Sequence, residues 1–316
     1  MDKKVALIFP GQGAQYVGMG RELYDNFSEA RKIFDKTDEI LYYDLKKIIF
    51  EGPEEKLRET ENTQLAVFVV SVACFEVFAA QRQNLIDRCS FVAGHSLGEY
   101  SALYAAGVFD LDTGIKLVKA RSEFIQQSSK KNPGTMAAII GLDGNKIDEI
   151  CKKVSAKGVC EPVNYNCPGQ IVLSGNIEAV ESAVSLAKEA KALKTVMLNV
   201  SGPFHSSLMK PAAELMSEEI KKYQFSDPKI FVVTNCDGEI TKSAEEIKGK
   251  LIKQIDHPVL WEKSLNKMIN SGVDTFIEIG PGKVLSGMIK RIDRKLKVFN
   301  IEDKDSLNNL GGVVYV

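Results

Sequence analysis

The sequence contains few of the residues from which metal and redox sites are usually built. Its 316 residues include three histidines, one tryptophan and six cysteines. The cysteines form no CxxC pair and lie at no metal-ligand spacing from a histidine, which argues against a zinc site or a redox-active thiol pair. Because no secretory leader is recognisable, we expect free thiols in the reducing environment of the cytoplasm. We expect no resident metal.

Neither sign of charge is in excess, and no apolar run is long. The 41 basic and 42 acidic residues give a net charge of -1, which argues against a dedicated nucleic-acid-binding protein. The longest apolar stretch, residues 65–80, is short for a membrane span and includes Glu76. This stretch predicts a buried core helix, and we expect no membrane partner.

One stretch has the pattern of a catalytic turn. A short buried strand at residues 91–93 leads into G-x-S-x-G at residues 94–98, and a helix rich in Ala and Leu is predicted for residues 99–107. The two glycines permit a tight turn and place Ser96 at a helix N-terminus, where free N–H groups can stabilise an oxyanion. Ser96 is therefore a candidate nucleophile, although an ordinary turn with a capping serine would have the same pattern.

A second glycine-containing loop follows the first predicted strand, residues 3–9. Its sequence, residues 11–15, begins like the dinucleotide-binding pattern G-x-G-x-x-G, but Tyr16 stands where the third glycine is required. Tyr16 therefore argues against nucleotide binding. The glycine-flanked Gln12 could still present a backbone N–H to a bound oxygen.

A nucleophilic serine needs a base, and the chain offers three histidines. His95 adjoins Ser96, so its side chain should point away from the hydroxyl. The residue order of common α/β-hydrolases would favour His257, the last histidine. His205 lies on an irregular Gly-Pro loop after a predicted strand, where catalytic groups gather. The residues alone leave the choice of base open.

An arginine lies on the apolar face of a predicted helix. Residues 112–128 form an amphipathic pattern in which apolar residues surround Arg121 at spacings of three and four. A buried guanidinium needs an anionic partner. That partner is either a structural carboxylate or the carboxylate of a substrate, and the residues favour neither.

The order of the predicted elements indicates the fold. Strands and helices alternate through residues 1–133 and 201–316, which is typical of a parallel sheet covered on both faces. Residues 134–200 have the order βαββαβ of a ferredoxin-like unit, with a last strand at 194–200, and are predicted to form an inserted small domain. Sites in parallel sheets lie at the carboxyl ends of strands, and Gln12, Ser96 and His205 all follow directly on predicted strands.

Four separated motifs occur in one order along the chain. They are FPGQG at residues 9–13, GHSLGEYSAL at 94–103, PFHS at 203–206 and EIGPG at 278–282. Together they resemble the malonyl-CoA:acyl-carrier-protein transacylases, the acyltransferase family of fatty-acid and polyketide synthesis. The resemblance extends over nearly the whole chain.

The resemblance implies an α/β-hydrolase-like parallel-sheet large domain with an inserted ferredoxin-like small domain. Ser96 matches the family's nucleophile, His205 its base and Arg121 the residue that binds the malonyl carboxylate. The other matches are the oxyanion-hole N–H groups of Gln12 and Leu97, the histidine-orienting main-chain carbonyl of Gln254, and the substrate-facing Asn166 and Phe204.

The implied reaction transfers a malonyl group from malonyl-CoA to the phosphopantetheine thiol of acyl carrier protein through a malonyl-serine intermediate, without a cofactor. It would supply fatty-acid synthesis in the cytoplasm, and we expect a monomer. A free-standing acyltransferase of a polyketide pathway would have the same motifs. A serine thioesterase or hydrolase would share Ser96 but need no carrier protein. A non-catalytic nucleotide-binding module is disfavoured by the missing third glycine.

The carrier protein is acidic in this family, which implies a basic docking surface. Residues 283–297 contain six lysines and arginines against one aspartate and are the candidate for that surface. A solvated helix face would have the same composition.

Overall fold

Two β-sheets of different construction organise the protein. The computed structural model describes residues 4–310, and these contain ten strands. The strands are β1 (Lys4–Phe9), β2 (Cys89–Gly94), β3 (Thr135–Ile140), β4 (Cys160–Cys167), β5 (Gln170–Gly175), β6 (Lys194–Met197), β7 (Phe231–Val233), β8 (Ile240–Thr241), β9 (Val273–Ile279) and β10 (Lys297–Ile301). Lys3, which the sequence assigns to the first strand, lies outside the described residues.

Helices connect most of these strands. They are α1 (Arg21–Asn26), α2 (Ser28–Leu41), α3 (Leu45–Glu51), α4 (Glu54–Arg58), α5 (Thr60–Gln81), α6 (Gln83–Ile86), α7 (Gly98–Ala105), α8 (Leu111–Lys131), α9 (Gly144–Val154), α10 (Ile177–Glu189), α11 (Lys210–Ile220), α12 (Ala244–Lys253), α13 (Trp261–Asn270), α14 (Val284–Ile292) and α15 (Lys304–Asn309). Single 3-10 turns occur at Ser155–Lys157 and Ser207–Met209.

The larger sheet has six strands in the order β10-β9-β1-β2-β7-β8. Its neighbours pair in parallel, except that the two-residue edge strand β8 runs antiparallel to β7. Apolar clusters lie on both faces, as the crossover helices of a parallel sheet require. The predicted parallel-sheet class is confirmed, and the antiparallel edge strand is an addition to it.

The register of this sheet brings three of the sequence motifs together. Phe9 of β1 pairs with Gly94 of β2, and Ile8 of β1 pairs with Glu278 of β9. The loops that follow these three strands therefore lie side by side at the carboxyl edge of the sheet. This is the edge at which open α/β sheets bind ligands.

The smaller sheet contains four strands in the order β4-β5-β3-β6, all paired antiparallel. Its strands and the helices α9 and α10 follow the predicted βαββαβ order. The two helices cover one face. The other face carries Met136, Ala138, Val163 and Val172 and packs against Phe204 of the larger unit. The small sheet thus presents an apolar face to the loop that carries His205.

The longest apolar helix is a core element. Among the described residues, α5 alone has the length and apolar composition to cross a membrane, and 78% of its most apolar stretch is buried inside the protein. It packs against α2 and α8. The prediction of a buried core helix at residues 65–80 is confirmed.

The predicted strand at residues 194–200 is shorter than expected. It ends at Met197, because the chain turns there and the N–H of Val200 donates back to the carbonyl of Leu198. It also belongs to the small antiparallel sheet. The expectation that His205 follows directly on a strand is therefore wrong, and an irregular loop positions this residue.

Candidate active site

Ser96 lies at the sharp turn between β2 and α7. Its φ angle is 52°, in the left-handed region that non-glycine residues rarely adopt. A Cβ on Gly94 would lie 1.9 Å from the carbonyl carbon of Gly98, and a Cβ on Gly98 would lie 2.1 Å from the carbonyl oxygen of Phe9. Both glycines are therefore required by close backbone contacts, and these contacts hold Ser96 in its strained conformation.

The Ser96 hydroxyl is hydrogen-bonded to His205. Ser96 Oγ lies 2.7 Å from His205 Nε2, and His205 Nδ1 lies 2.7 Å from the main-chain oxygen of Gln254. A carbonyl oxygen can only accept, so Nδ1 carries the proton and Nε2 is free to accept one from the hydroxyl. His205 is 5% exposed and has a φ angle of 61°. The pair has the geometry of a nucleophile and its general base.

The other two histidines do not reach the Ser96 hydroxyl. His95 Nε2 is 2.8 Å from Asn166 Oδ1, and the ring packs against Trp261. His257 is exposed and its Nδ1 lies 2.7 Å from the carboxylate of its neighbour Asp256. Of the three histidines, only His205 lies within hydrogen-bonding distance of the Ser96 hydroxyl in the described structure.

Arg121 is buried beside the serine. Its guanidinium is 2% exposed and donates to Gln64 Oε1 at 2.6 Å, to Gln254 Oε1 at 3.0 Å and to Ser96 Oγ at 3.1 Å. Its central carbon lies 5.5 Å from the centre of the Tyr100 ring. Within residues 4–310 no carboxylate forms an ion pair with it. The alternative of a structural carboxylate partner is thus not supported.

A cavity of about 90 Å³ opens over these groups. The residues that line it include Gln12, Ser96, Arg121, Asn164, Phe204 and His205. Asn164 Oδ1 is buried there without a hydrogen-bond partner among the described residues. Asn166, which the resemblance places near the substrate, is instead turned toward His95.

Two backbone N–H groups lie at the carboxyl edge of the larger sheet. Leu97 follows Ser96 at the start of α7, and Gln12 follows β1. Neither N–H donates a hydrogen bond to any residue in the described part of the chain. The N–H of Leu97 lies at a helix N-terminus, and that of Gln12 lies in the loop after β1. Because preorganised N–H groups without a partner stabilise negative charge, both are suited to an oxyanion.

The sequence does not identify two amides of the site. Gln64 Oε1 accepts from Arg121, and Asn235 Oδ1 accepts the backbone N–H of Ser96 at 2.7 Å. Each amide has one feature in the sequence that could have indicated its place in the site. Gln64 is a polar residue at the head of an otherwise apolar helix, and Asn235 lies just beyond β7, the strand next to β2.

Burial and a neighbouring cation keep the imidazole neutral. Removal from water and the Arg121 guanidinium lower the pKa of His205 to about 3, against the raising effect of the Gln254 carbonyl. Burial also lowers the pKa of Arg121. His205 is therefore in its proton-accepting form at neutral pH.

A parallel α/β sheet that carries a serine–histidine pair beside a helix N-terminus defines the class of acyl-transfer enzymes with a serine nucleophile. The family model described as "Acyl transferase domain" matches residues 6–307. The chain belongs to this acyltransferase family.

Named relatives cover almost the whole chain. The "Malonyl CoA-acyl carrier protein transacylase" of Bacillus subtilis (strain 168) is 44% identical over 305 residues, which are 96% of this chain and 95% of the relative. The crystal structure of acyl-carrier-protein-S-malonyltransferase from Bartonella henselae is 39% identical, with a TM-score of 0.95 over 99% of this chain and 100% of that one. A malonyl-transacylase in complex with a type II PKS acyl-carrier protein is 40% identical, with a TM-score of 0.93 over 97% and 98%.

The lowered pKa of His205 predicts an unusual pH dependence of Ser96 reactivity. An ordinary histidine would lose half of its neutral form near pH 6.5, whereas His205 should keep it far into the acid range. We expect the rate at which an alkyl fluorophosphonate labels Ser96 to fall by half only well below pH 6.5. The rate is measured by mass spectrometry over a pH series, with circular dichroism to show that the protein stays folded.

The Arg121→Gln variant provides the control, because it removes the cation and keeps an amide. In this variant the pH at which the labelling rate falls by half should rise toward 6.5. Half-loss of labelling near pH 6.5 in the unaltered protein would contradict the prediction.

Proposed function

We propose that this protein transfers the malonyl group of malonyl-CoA to the phosphopantetheine thiol of an acyl carrier protein. The observation that carries the proposal is the position of the buried Arg121 guanidinium, 3.1 Å from Ser96 Oγ. An acyl group on that oxygen would extend directly beside a cation that has no carboxylate partner within residues 4–310. A malonyl group carries its own carboxylate there.

The chemistry follows from the hydrogen bonds of the site. Ser96 Oγ attacks the thioester carbon while His205 Nε2 takes the hydroxyl proton. The N–H groups of Gln12 and Leu97 stabilise the oxyanion, the C–S bond breaks, and the imidazolium returns the proton to the coenzyme A thiolate. The carrier thiol then attacks the malonyl-serine ester by the reverse sequence. The chain's own residues supply these steps, and we propose that it uses no cofactor.

The relatives of this chain support both substrates. They are malonyl transferases that act on acyl carrier protein, and one structure contains a type II PKS carrier bound to its transacylase. We propose that this chain supplies fatty-acid synthesis as a cytoplasmic monomer without nucleic-acid or membrane partners. The complex with the PKS carrier favours a second candidate, a free-standing acyltransferase of a polyketide pathway.

Covalent loading tests the proposed intermediate. Incubation with malonyl-CoA should add one malonyl group to Ser96. Ser96→Ala should abolish the addition, because the described residues that line the cavity include no other hydroxyl or thiol. Intact-protein and peptide mass spectrometry locate the group. Added acyl carrier protein should remove it far faster than water does. Loading on a cysteine, or equal release with and without carrier, would contradict the proposal and favour a hydrolase.

The proposed role of His205 as the base is tested by one histidine variant, and a second histidine variant serves as its matched control. His205→Ala should slow loading by about 10²–10⁴-fold, the usual contribution of a general base. His257→Ala should leave the rate near that of the unaltered protein, because this side chain is exposed and bonds only to its neighbour in the described structure. Equal losses would show that His205 is not the base.

Acyl selectivity should depend on Arg121. Its planar fork can bind a malonyl carboxylate through two charge-assisted hydrogen bonds, whereas acetyl would leave the buried cation without an anion. Losing one partner of a buried charge pair costs about 2–5 kcal/mol, or about thirty- to several-thousand-fold in rate. Arg121→Ala should lower the ratio of kcat/KM for malonyl-CoA over acetyl-CoA by a factor in this range.

Lysine at position 121 should restore only part of the ratio, since a point charge cannot reproduce the fork. The measurement is the loading rate with each thioester in the three proteins. An unchanged ratio in the alanine variant would show that the carboxylate is recognised elsewhere.

The candidate docking surface is only partly helical. α14 ends at Ile292, and Lys297 already belongs to β10. Three cations of residues 283–297 have partners in the described structure. Lys283 Nζ lies 4.0 Å from the Glu302 carboxylate, Lys290 Nζ donates to the carbonyl of Leu296 at 2.6 Å, and Arg291 donates to Gln170 at 2.8 Å. The exposed side chains of Arg294 and Lys295, in the turn after α14, make no hydrogen bond within residues 4–310 and are the better test of docking.

Reversal of Arg294 and Lys295 to Glu should weaken transfer to carrier protein and leave loading from malonyl-CoA unchanged, because peripheral charges act mainly on the encounter of two proteins. The loss should shrink at high salt. Both half-reactions are followed separately by mass spectrometry. The matched control reverses the exposed Lys152 and Lys153 on α9, the far side of the small sheet. Equal losses in the two half-reactions, or in the two variants, would contradict this docking surface.

A further inference from the structure

A buried carboxyl group lies directly behind the nucleophile. Glu99, in the first turn of α7, is 1% exposed and forms no ion pair within residues 4–310. Burial raises the pKa of this group to about 7. A carboxyl group is costly to bury without a compensating partner, so its position requires an explanation. The acyl-transfer steps described above do not use it.

In the part of the chain that the structure describes, the Glu99 carboxyl accepts two hydrogen bonds, and both come from residues that contact Ser96, His205 or Arg121. Its Oε2 accepts from Gln254 Nε2 at 2.8 Å and from the backbone N–H of Asn235 at 3.2 Å. Gln254 binds His205 through its main-chain oxygen and Arg121 through Oε1. One carboxyl group is therefore linked, through a single residue, to both the base and the arginine.

Asn235 extends the same arrangement to the nucleophile. Its Oδ1 accepts the N–H of Ser96 at 2.7 Å, and its Nδ2 donates to the carbonyl of Gly94 at 2.7 Å. These two bonds fix both sides of the strained turn at Ser96. Glu99 anchors the backbone of Asn235 and so supports the turn from behind.

The directions of these hydrogen bonds indicate how Glu99 acts on the Gln254 amide. A glutamine amide can exchange its oxygen and nitrogen by a half-turn. In Gln254 the nitrogen faces the Glu99 oxygen and the oxygen faces Arg121, which can only donate. After a half-turn, oxygen would face oxygen and the amide nitrogen would face the guanidinium. The same nitrogen also donates to the carbonyl oxygen of Ser96 at 2.9 Å, so Glu99 and Ser96 are the two acceptors that keep the Gln254 amide in the orientation that Arg121 needs.

We propose that Glu99 is a positioning residue, which holds Gln254 and Asn235 by hydrogen bonds and thereby aligns His205 and Arg121 on Ser96. It touches neither the substrate nor the reacting atoms. The inference rests on the proposed serine mechanism for its readouts. Glu99 acts through its acceptor oxygen, so an amide at this position should hold Gln254 and Asn235 nearly as well as a carboxyl group does.

The test compares Glu99→Ala with Glu99→Gln. Two rates are measured in each folded protein: labelling of Ser96 by an alkyl fluorophosphonate, which reports the base, and the malonyl-to-acetyl ratio of loading, which reports Arg121. Glu99→Ala should lower labelling by about 10²-fold, the usual cost of a misplaced catalytic group. It should also lower the ratio. Glu99→Gln, which keeps an acceptor oxygen, should recover the larger part of both losses.

Glu278 provides a matched control. It is a fully buried carboxyl group that accepts from the backbone N–H groups of Leu285 and Ser286 at the start of α14. In the described structure it makes no hydrogen bond to Ser96, His205 or Arg121. Glu278→Ala should lower the urea midpoint of unfolding and leave the labelling of Ser96 unchanged.

Three results would overturn the proposal: unchanged labelling and ratio in Glu99→Ala, equal losses in Glu99→Gln and Glu99→Ala, or an equal loss of labelling in Glu278→Ala. Failure of the proposed function has a different signature. In that case the unaltered protein would not be malonylated on Ser96.

Discussion

The hydrogen bonds of Gln254 are the constraint on which the site depends. Its main-chain oxygen holds His205, its side-chain oxygen accepts from Arg121, and its side-chain nitrogen donates to the carbonyl of Ser96 at 2.9 Å. One residue beyond α12 thus contacts the three functional groups, which come from three distant parts of the chain. Because its side chain is fully buried, water does not compete for these bonds. The relative positions of His205, Ser96 and Arg121 depend on this one residue.

The protein keeps these groups in conformations that are unfavourable by themselves. Ser96 and His205 both have positive φ angles, each costing about 1–3 kcal/mol, and Arg121 is a buried cation with no ion pair in the described chain. The cost is offset by the cores on the two faces of the parallel sheet. The helices α5 and α8, which carry Gln64 and Arg121, are part of this apolar packing.

The features of the site that depend on one short segment can be predicted from the sequence, whereas contacts between distant segments cannot. The glycine spacing around Ser96 predicted the turn, and apolar residues at helical spacing predicted the burial of Arg121, because both are properties of one short segment. The roles of Gln64 and Asn235 depend on contacts across 57 and 139 positions of sequence, which periodicity does not report. The end of β6 was misplaced for a related reason, since the apolar residues that follow it pack as a loop against the small sheet.

The orienting partner of His205 is a main-chain atom, and this has a consequence for how the site can vary. Every amino acid carries a carbonyl oxygen, so no substitution at position 254 removes the acceptor of the Nδ1 proton. A side-chain carboxylate in that place could be lost by a single codon change. Here the tautomer of His205 depends on the path of the backbone, so a mutation can change it only by moving the segment after α12.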